Sequence, residues 1–375
     1  NILVIEKHTF FDKYLVVPII ILTLISLVFI FSSSAPYAGE KYLDPYYFFE
    51  RQIIALSIGI LISSFVLFIP ISFYRENGAI FILLSFLLLV LVLIPSVGTE
   101  VNGSRRWLRI VSFNLQPSEV AKVLVPLYLC GYSLRRKRQL ETSWWGFSKP
   151  LVLILIFCIL LFLEPDYGAT IVLFSVGMVV LFCGGAKISQ LGILLVSFFV
   201  LMSILIYFNE ERFSRLISFT DPFDDIERTD YQLLMALIAI INGNWFGLGI
   251  GESTQKYFFL PEAHTDFIFS IYVEETGFAG ILILFTCYLT MLYRIYRLAY
   301  ISYKKNYTFN SFIIISFGFL FFVQTLANIF VNVGLIPTKG LPLPFISYGG
   351  SSIIMNFIFL SIAMRASWEF RNGIK

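Results

Sequence analysis

An all-α, polytopic membrane bundle of about ten transmembrane helices, with a large extracytoplasmic loop containing short helices, is expected from this sequence on three grounds. Of its 375 residues 58% are hydrophobic and 14% charged, too little polar surface to enclose a soluble globule. The apolar residues gather in runs of roughly 17 to 25, the length that crosses a bilayer as a helix. These runs lack the period-2 alternation of a barrel strand, which leaves the helix as the form that satisfies its own backbone in lipid.

Ten such runs follow one another, at about 15–31, 53–73, 79–94, 117–133, 150–163, 168–183, 190–208, 266–292, 311–331 and 346–364. The first reads as a span and not as a cleavable signal, because many more spans follow it. The fifth is short and stops at Glu164-Pro165-Asp166-Tyr167-Gly168, a turn signal that separates it from the sixth. Between the seventh and eighth lies the one sizeable polar insertion, about 209–265, too small and interrupted to be a separate enzyme domain. Within it Tyr231 to Ile241 is apolar enough for a short helix, and Asn242 to Gly251 is rich in glycine. That glycine run lacks the lysine and serine or threonine of a phosphate loop. Tight turns that bring backbone close to a substrate or to another helix are the better reading. One integral membrane domain over 1–375 is expected.

Arg135, Arg136, Lys137, Arg138, Lys149, Arg294, Arg297, Lys304 and Lys305 share one side, which the positive-inside rule makes cytoplasmic. An even number of spans returns both termini to that side. The loops at about 32–51, 95–116, 209–265 and 332–345 then face outward. They hold Arg105, Arg106, Arg109, Arg212, Arg215, Lys256 and Lys339, cations that the rule disfavours there. An anionic partner such as a lipid-linked phosphate accounts for them, since arginine forks suit phosphates; interfacial snorkelling is the plainer account. Cys130, Cys158, Cys183 and Cys287 all fall inside apolar runs and read as packing residues, with neither disulfide nor metal-ligand spacing.

Polar groups at membrane depth are expensive and point to function. Pro261 to Phe267 places two acids and one of two histidines at the threshold of an apolar run. Thr265 and Asp266 are also good N-cap types, so for Asp266 a helix cap and a reactive carboxylate both stand. Glu119 and Lys122, three apart, share a helix face and form either a structural ion pair or part of a cavity. Asp166 reads as a solvated turn residue or a site residue, and Trp107 as a belt aromatic or a lipid contact. Asn328 and Asn332, four apart, read as interhelical hydrogen bonding. His264 is a candidate second acid, base or metal ligand, with no second histidine on its side.

Five motifs in order carry a resemblance to a known family. Asn102-Gly103-Ser104-Arg105-Arg106-Trp107, Gln116-Pro117-Ser118-Glu119-Val120-Ala121-Lys122, Glu164 to Gly168, Pro261 to Phe267, and Leu343-Pro344-Phe345-Ile346-Ser347-Tyr348-Gly349-Gly350-Ser351-Ser352 together resemble the SEDS proteins (shape, elongation, division and sporulation). Ala263 and Pro337-Thr338-Lys339-Gly340 resemble the division branch more than the elongation branch. Asn242-Gly243-Asn244 and Glu274-Glu275-Thr276-Gly277 depart from the commoner family forms.

The resemblance implies a peptidoglycan glycosyltransferase that polymerises lipid II on the outer face of the cytoplasmic membrane during septal cell-wall synthesis. Asp266 matches the family's catalytic aspartate and is the candidate base for the acceptor 4-hydroxyl. Arg106, Trp107, Glu119, Lys122, Asp166, His264, Lys339 and Ser347 become candidate substrate contacts, with cations facing the polyprenyl pyrophosphate leaving group. No cofactor is assigned; magnesium or manganese bound through carboxylates and phosphates is left open. Implied partners are the nascent glycan strand, a class B penicillin-binding protein that crosslinks it, and other divisome membrane proteins, with no nucleic acid. A lipid II flippase and a non-catalytic divisome scaffold are the competing readings.

Overall fold

The computed structural model describes residues 10–101, 104–110, 113–208, 231–337 and 340–374. Every one of the ten apolar runs corresponds to a helix: α1 (Lys13–Tyr42), α2 (Tyr47–Val66), α4 (Gly78–Leu93), α5 (Pro117–Arg135), α7 (Trp144–Leu163), α8 (Tyr167–Cys183), α9 (Ile188–Tyr207), α11 (Ile268–Lys304), α12 (Thr308–Asn332) and α13 (Gly350–Asn372). Two short helices, α3 (Ile71–Glu76) and α6 (Lys137–Thr142), lie in connections, and α10 (Tyr231–Asn242) is the short helix expected in the long insertion. Among the described residues six helices, α1, α2, α7, α11, α12 and α13, are long and apolar enough to cross a membrane by length and composition.

The expected outer loop at 32–51 is mostly helix. Asp12 caps α1 by accepting from the Tyr14 amide, and the helix runs on to Leu43, whose left-handed φ of 58° ends it. Pro36 sits inside, its missing donor tolerated as in other membrane helices. Only Leu43 to Tyr46 then separates α1 from α2.

At the centre α12 packs against α5, α8, α11 and α13. Nearly every turn of α5 is buried, Glu119 and Lys122 included; a helix enclosed by protein can carry charges that one facing lipid cannot. Polar contacts join the chain's two ends across this core. The Asp12 carboxylate accepts from Arg294 at 2.6 Å, the Ser26 hydroxyl donates to the Ile346 carbonyl at 2.7 Å, and Gln52 accepts from the Gly349 amide at 3.3 Å.

The expected continuous span from 266 is interrupted. Gly277, at φ 66° and ψ −162°, breaks α11 into two helical segments. A break inside a membrane helix frees amides and carbonyls that lipid cannot satisfy, and here the glycine-rich run satisfies them. Leu248 and Gly249 amides donate to the carbonyls of Glu274 and Glu275 at 2.9 and 3.1 Å, while Phe278 and Ala279 amides donate to Asn244 and Trp245 at 2.9 and 3.1 Å. Such approach requires glycine: a Cβ on Gly247 would lie 2.2 Å from the Glu275 carbonyl oxygen, and one on Gly277 2.4 Å from the Gly247 nitrogen. The run therefore serves another helix, one of the two uses its turns suggested.

The loop at 95–116 contains an unforeseen antiparallel meander, β1 (Gly98–Val101), β2 (Ser104–Ile110) and β3 (Phe113–Leu115). The pairing of β1 with β2 slips between Thr99 and Glu100; Leu108 is buried, and Arg105 pairs with Glu100 at 3.0 Å.

Gly277→Ala is expected to lower stability by at least roughly 1–3 kcal/mol from its strained φ alone, with the clash against Gly247 added. Gly192→Ala, on α9 with nothing within 4 Å of the new methyl, serves as the control. Thermal unfolding of the purified proteins checks this, and equal midpoints for the two variants would refute it.

Candidate functional site at the outer end of α11

The Pro261 to Phe267 segment is held on three sides. Glu262, at φ 55°, turns the chain so that its carbonyl accepts from the amides of Thr265 and Phe267 at 3.2 and 3.3 Å. Buried His264 sits among aromatic rings, 4.3 Å from Phe48, 5.6 Å from Tyr348 and 6.0 Å from Tyr37 between centroids. Its carbonyl accepts from the Tyr348 amide at 3.0 Å. Burial pushes the imidazole down to about 4 against the opposing pull of Glu262, so the ring is neutral near pH 7. The structure thus makes His264 an anchor of the loop to α1 and α2. On the third side, Asn328 and Asn332 of α12 donate to the Asp266 carbonyl at 2.9 and 3.0 Å.

Asp266 does not cap the helix. Phe267 occupies the N-cap position without a side-chain bond, and Ser270 takes its acceptor from a neighbour, the Asn332 Oδ1, at 3.2 Å from its amide and 2.7 Å from its hydroxyl. The capping alternative therefore falls, and among the described residues nothing donates to the Asp266 carboxylate. Gly340 passes beside it: a Cβ there would lie 3.0 Å from Oδ2.

The turn between α7 and α8 brings further charge. Arg106 donates from Nε to the Glu164 carbonyl at 3.0 Å and from Nη2 to the Pro165 carbonyl at 2.5 Å. Asp166 is buried, which removes its reading as a solvated turn residue. It caps α8 by accepting from the Ala169 amide at 3.0 Å, and it accepts from Gln116 and Ser118 at 3.0 and 2.8 Å. Ser351 ties the same corner, accepting from the Gln116 amide at 3.0 Å and donating to the Asn114 carbonyl at 2.8 Å.

These charges act on Asp266. Although part of the residue stays open to solvent, surrounding protein raises its carboxyl to about 7; burial is the largest cause, Glu262 and Asp166 add to it, and Arg106 opposes it. Glu164 is raised further, to about 9, by burial and by Asp166, so it keeps its proton near neutrality. Neither of its carboxyl oxygens has a hydrogen-bond partner.

The other expected site residues are distributed as follows. Glu119 and Lys122 form a buried ion pair at 2.6 Å, one turn along α5 from Ser118. Trp107 stands opposite Thr99 in the meander and is partly exposed. Buried Ser347 spends its hydroxyl on its own turn, accepting from the Leu343 amide at 2.7 Å. Lys339, Arg212 and Arg215 lie outside the described residues. Lys256 departs from its reading as an outer cation awaiting an anion: it is buried against Glu275 at 2.9 Å and against Ser32 at 3.1 Å. All four cysteines are free, and among the described residues no group of three or more His, Cys, Asp or Glu is placed to hold a metal ion. Sequence reasoning missed Glu164 as a neutral carboxyl and Gln116, Ser118 and Ser351 as supports; all four stand inside motifs already singled out, and for the first three polarity beside proline was the available signal.

Comparison with known proteins places the chain among relatives. Residues 13–372 match the FtsW/RodA/SpoVE family, described as cell cycle protein. The chain is 40% identical over 358 residues to the probable peptidoglycan glycosyltransferase FtsW of Marinomonas mediterranea, covering 96% of this chain and 88% of that relative. With the protein of the same name from Pseudomonas fluorescens it shares 40% identity over 350 residues, 93% of this chain and 86% of that one. Among solved structures it is similar to the rod shape determining protein RodA of Thermus thermophilus, with TM-score 0.70, 26% identity and coverage of 96% and 97%. A chain described under structural coordination of polymerization and crosslinking by a peptidoglycan synthase complex superposes with TM-score 0.77, 26% identity and coverage of 96% and 98%. With its five motifs in order and this match over nearly its whole length, the chain belongs to the FtsW/RodA/SpoVE family of cell cycle proteins.

Proposed function

We propose that this chain is a peptidoglycan glycosyltransferase that polymerises lipid II into glycan strands during septal wall synthesis, with Asp266 as general base. In the reaction the acceptor 4-oxygen forms a bond to the donor's anomeric carbon with inversion. The bond from that carbon to phosphate breaks, polyprenyl pyrophosphate leaves, and the hydroxyl proton passes to Asp266. The observation that carries this reading is a carboxylate at the outer end of α11 that receives no hydrogen bond among the described residues and is tuned to about 7. A base serves best when its pKa lies near the working pH.

Arg106 supplies positive charge beside Asp266 and suits the leaving pyrophosphate. Lys339 and Trp107 are assigned to the pyrophosphate and polyprenyl, and the Glu119 and Lys122 pair to the cavity wall. Asp166, His264 and Ser347 act through the walls they hold together. No step is routed through a metal ion. The chain is taken as one membrane domain of ten spans, with both termini cytoplasmic and Asp266 on the periplasmic face. A class B penicillin-binding protein is the proposed crosslinking partner. A flippase reading draws on the broken α11, a trait of transporters, but the freed backbone groups at Gly277 are bonded to the glycine-rich run and offer nothing to a substrate.

Purified wild type, with its transpeptidase partner, is expected to polymerise lipid II, and Asp266→Asn and Asp266→Ala at equal folded yield to lose the activity. Variants with near-normal rates would remove Asp266 as base. Because the base works deprotonated, the wild-type rate should fall as pH drops through about 7 and level off above it. Removing the negative neighbour in Glu262→Gln should move that limb to lower pH; a limb unmoved, or moved upward, would contradict the electrostatic account.

A further inference from the structure

We propose that Asn328 and Asn332 of α12 are positioning residues for catalysis, clamping the Asp266 main chain so that its carboxylate holds a fixed place before the acceptor hydroxyl. This rests on the reading of Asp266 as the base and extends it to a second helix.

The clamp is visible as converging hydrogen bonds. Both asparagine Nδ2 groups donate to the single carbonyl of Asp266, at 2.9 and 3.0 Å, filling both of its lone pairs. The amide orientations follow from what surrounds them. Asn332 Nδ2 also faces the Asn328 carbonyl at 2.9 Å, while its Oδ1 receives the Ser270 amide and hydroxyl. A flipped amide would set oxygen against two carbonyl oxygens and nitrogen against an amide donor, so one orientation alone is consistent with the network.

Asn328 reaches further, donating also to the Leu341 carbonyl at 2.7 Å. Leu341 follows Gly340, the residue whose backbone stands against Asp266 Oδ2. One side chain therefore ties the two strands that flank the carboxylate and sets the gap between them.

Simple interhelical adhesion does not require this choice of partners. The asparagines select the carbonyl of the residue whose own carboxylate is unbonded among the described residues, together with the carbonyl beside the glycine that faces it. A carboxylate without hydrogen bonds of its own owes its position to its backbone. Misplacement of a catalytic group by about 1 Å can cost on the order of a hundredfold in rate.

The test compares Asn328→Leu and Asn332→Leu, near in volume but without donors, with Ser270→Ala, which leaves both asparagines in place and removes the hydroxyl, one of the two donors to the Asn332 Oδ1. The full chain with its transpeptidase partner is assayed on lipid II for kcat, KM and pH dependence, with Asp266→Ala alongside. Expected are a fall in kcat on the order of tenfold to a hundredfold, KM within about twofold of wild type, and an acid limb below the wild-type one as the carboxylate relaxes toward water. If the leucine variants fail to fold, Ser270→Ala carries the same signature in milder degree. Folded variants with wild-type kcat and an unmoved limb, beside a dead Asp266→Ala, overturn the clamp alone. A raised KM with unchanged kcat overturns it as well. An active Asp266→Ala instead overturns the reading of Asp266 as base.

Discussion

A helix that breaks inside a bilayer must find protein partners for the amides and carbonyls it releases, because lipid offers none and each unsatisfied group costs several kcal/mol. That constraint, met at Gly277, organises the half of this molecule that holds the candidate site. The glycine-rich run is pinned to α11 by its own main chain, and side chains then fill the seam. Glu274 accepts from the hydroxyls of Ser253 and Thr254, and Glu275 from Lys256 and Ser32. The chain leaving this seam leads directly into Pro261 to Phe267. The place of Asp266 thus adjoins a backbone repair made eleven residues further along the chain, at Gly277.

Which residue caps α11 decides what Asp266 can do. A carboxylate bound to a helix N-terminus is stabilised as an anion and is a weak proton acceptor. Here Asn332 reaches across from α12 to take the Ser270 amide, so burial and negative neighbours prevail over the single opposing arginine, and the carboxyl rises. Elsewhere the balance of charge is struck differently. Glu119 and Lys122 repay their desolvation by pairing at 2.6 Å, a pair that would be costly to break from either side. Glu164, with no partner for its oxygens, stays uncharged. Three carboxyl environments within one outer corner thus yield a structural anchor in Asp166, a proton-retaining acid in Glu164 and a tunable group in Asp266.

Much of this was legible in the residues. Apolar runs marked the ten longer helices among those described, since a segment that buries apolar side chains along its length leaves a signal over many residues. The motif at Pro261 to Phe267 marked the site because acids at a membrane threshold demand a reason. What escaped reading depends on partners distant in sequence. Lys256 looks like an outer cation until Glu275 is placed beside it. Asp166 looks like a solvated turn until Gln116 and Ser118 close over it. The meander at 98–115 is masked by its arginines and by the slip in pairing at Thr99 and Glu100, which interrupts the alternation of β2. Glu274-Glu275-Thr276-Gly277 does interrupt the apolar run, but that the helix itself breaks there is a matter of conformation, and its compensation lies in the distant run at Gly243 to Gly249.

The contacts that join the two ends of the chain bear on the order in which the protein is made. Ser26 is bonded to Ile346 and Ser32 to Glu275, pairs separated by 320 and 243 residues, and Gln52 meets Gly349. At roughly 5–20 residues per second, α1 and α2 reach the bilayer some ten seconds to a minute before their partners are synthesised. During that interval the serine hydroxyls have only carbonyls of their own helices to bond, and Gln52 has no Gly349 to receive. α1 and α2 are therefore finished only when α13, which packs beside α2, has been delivered, and until then their polar groups wait for partners.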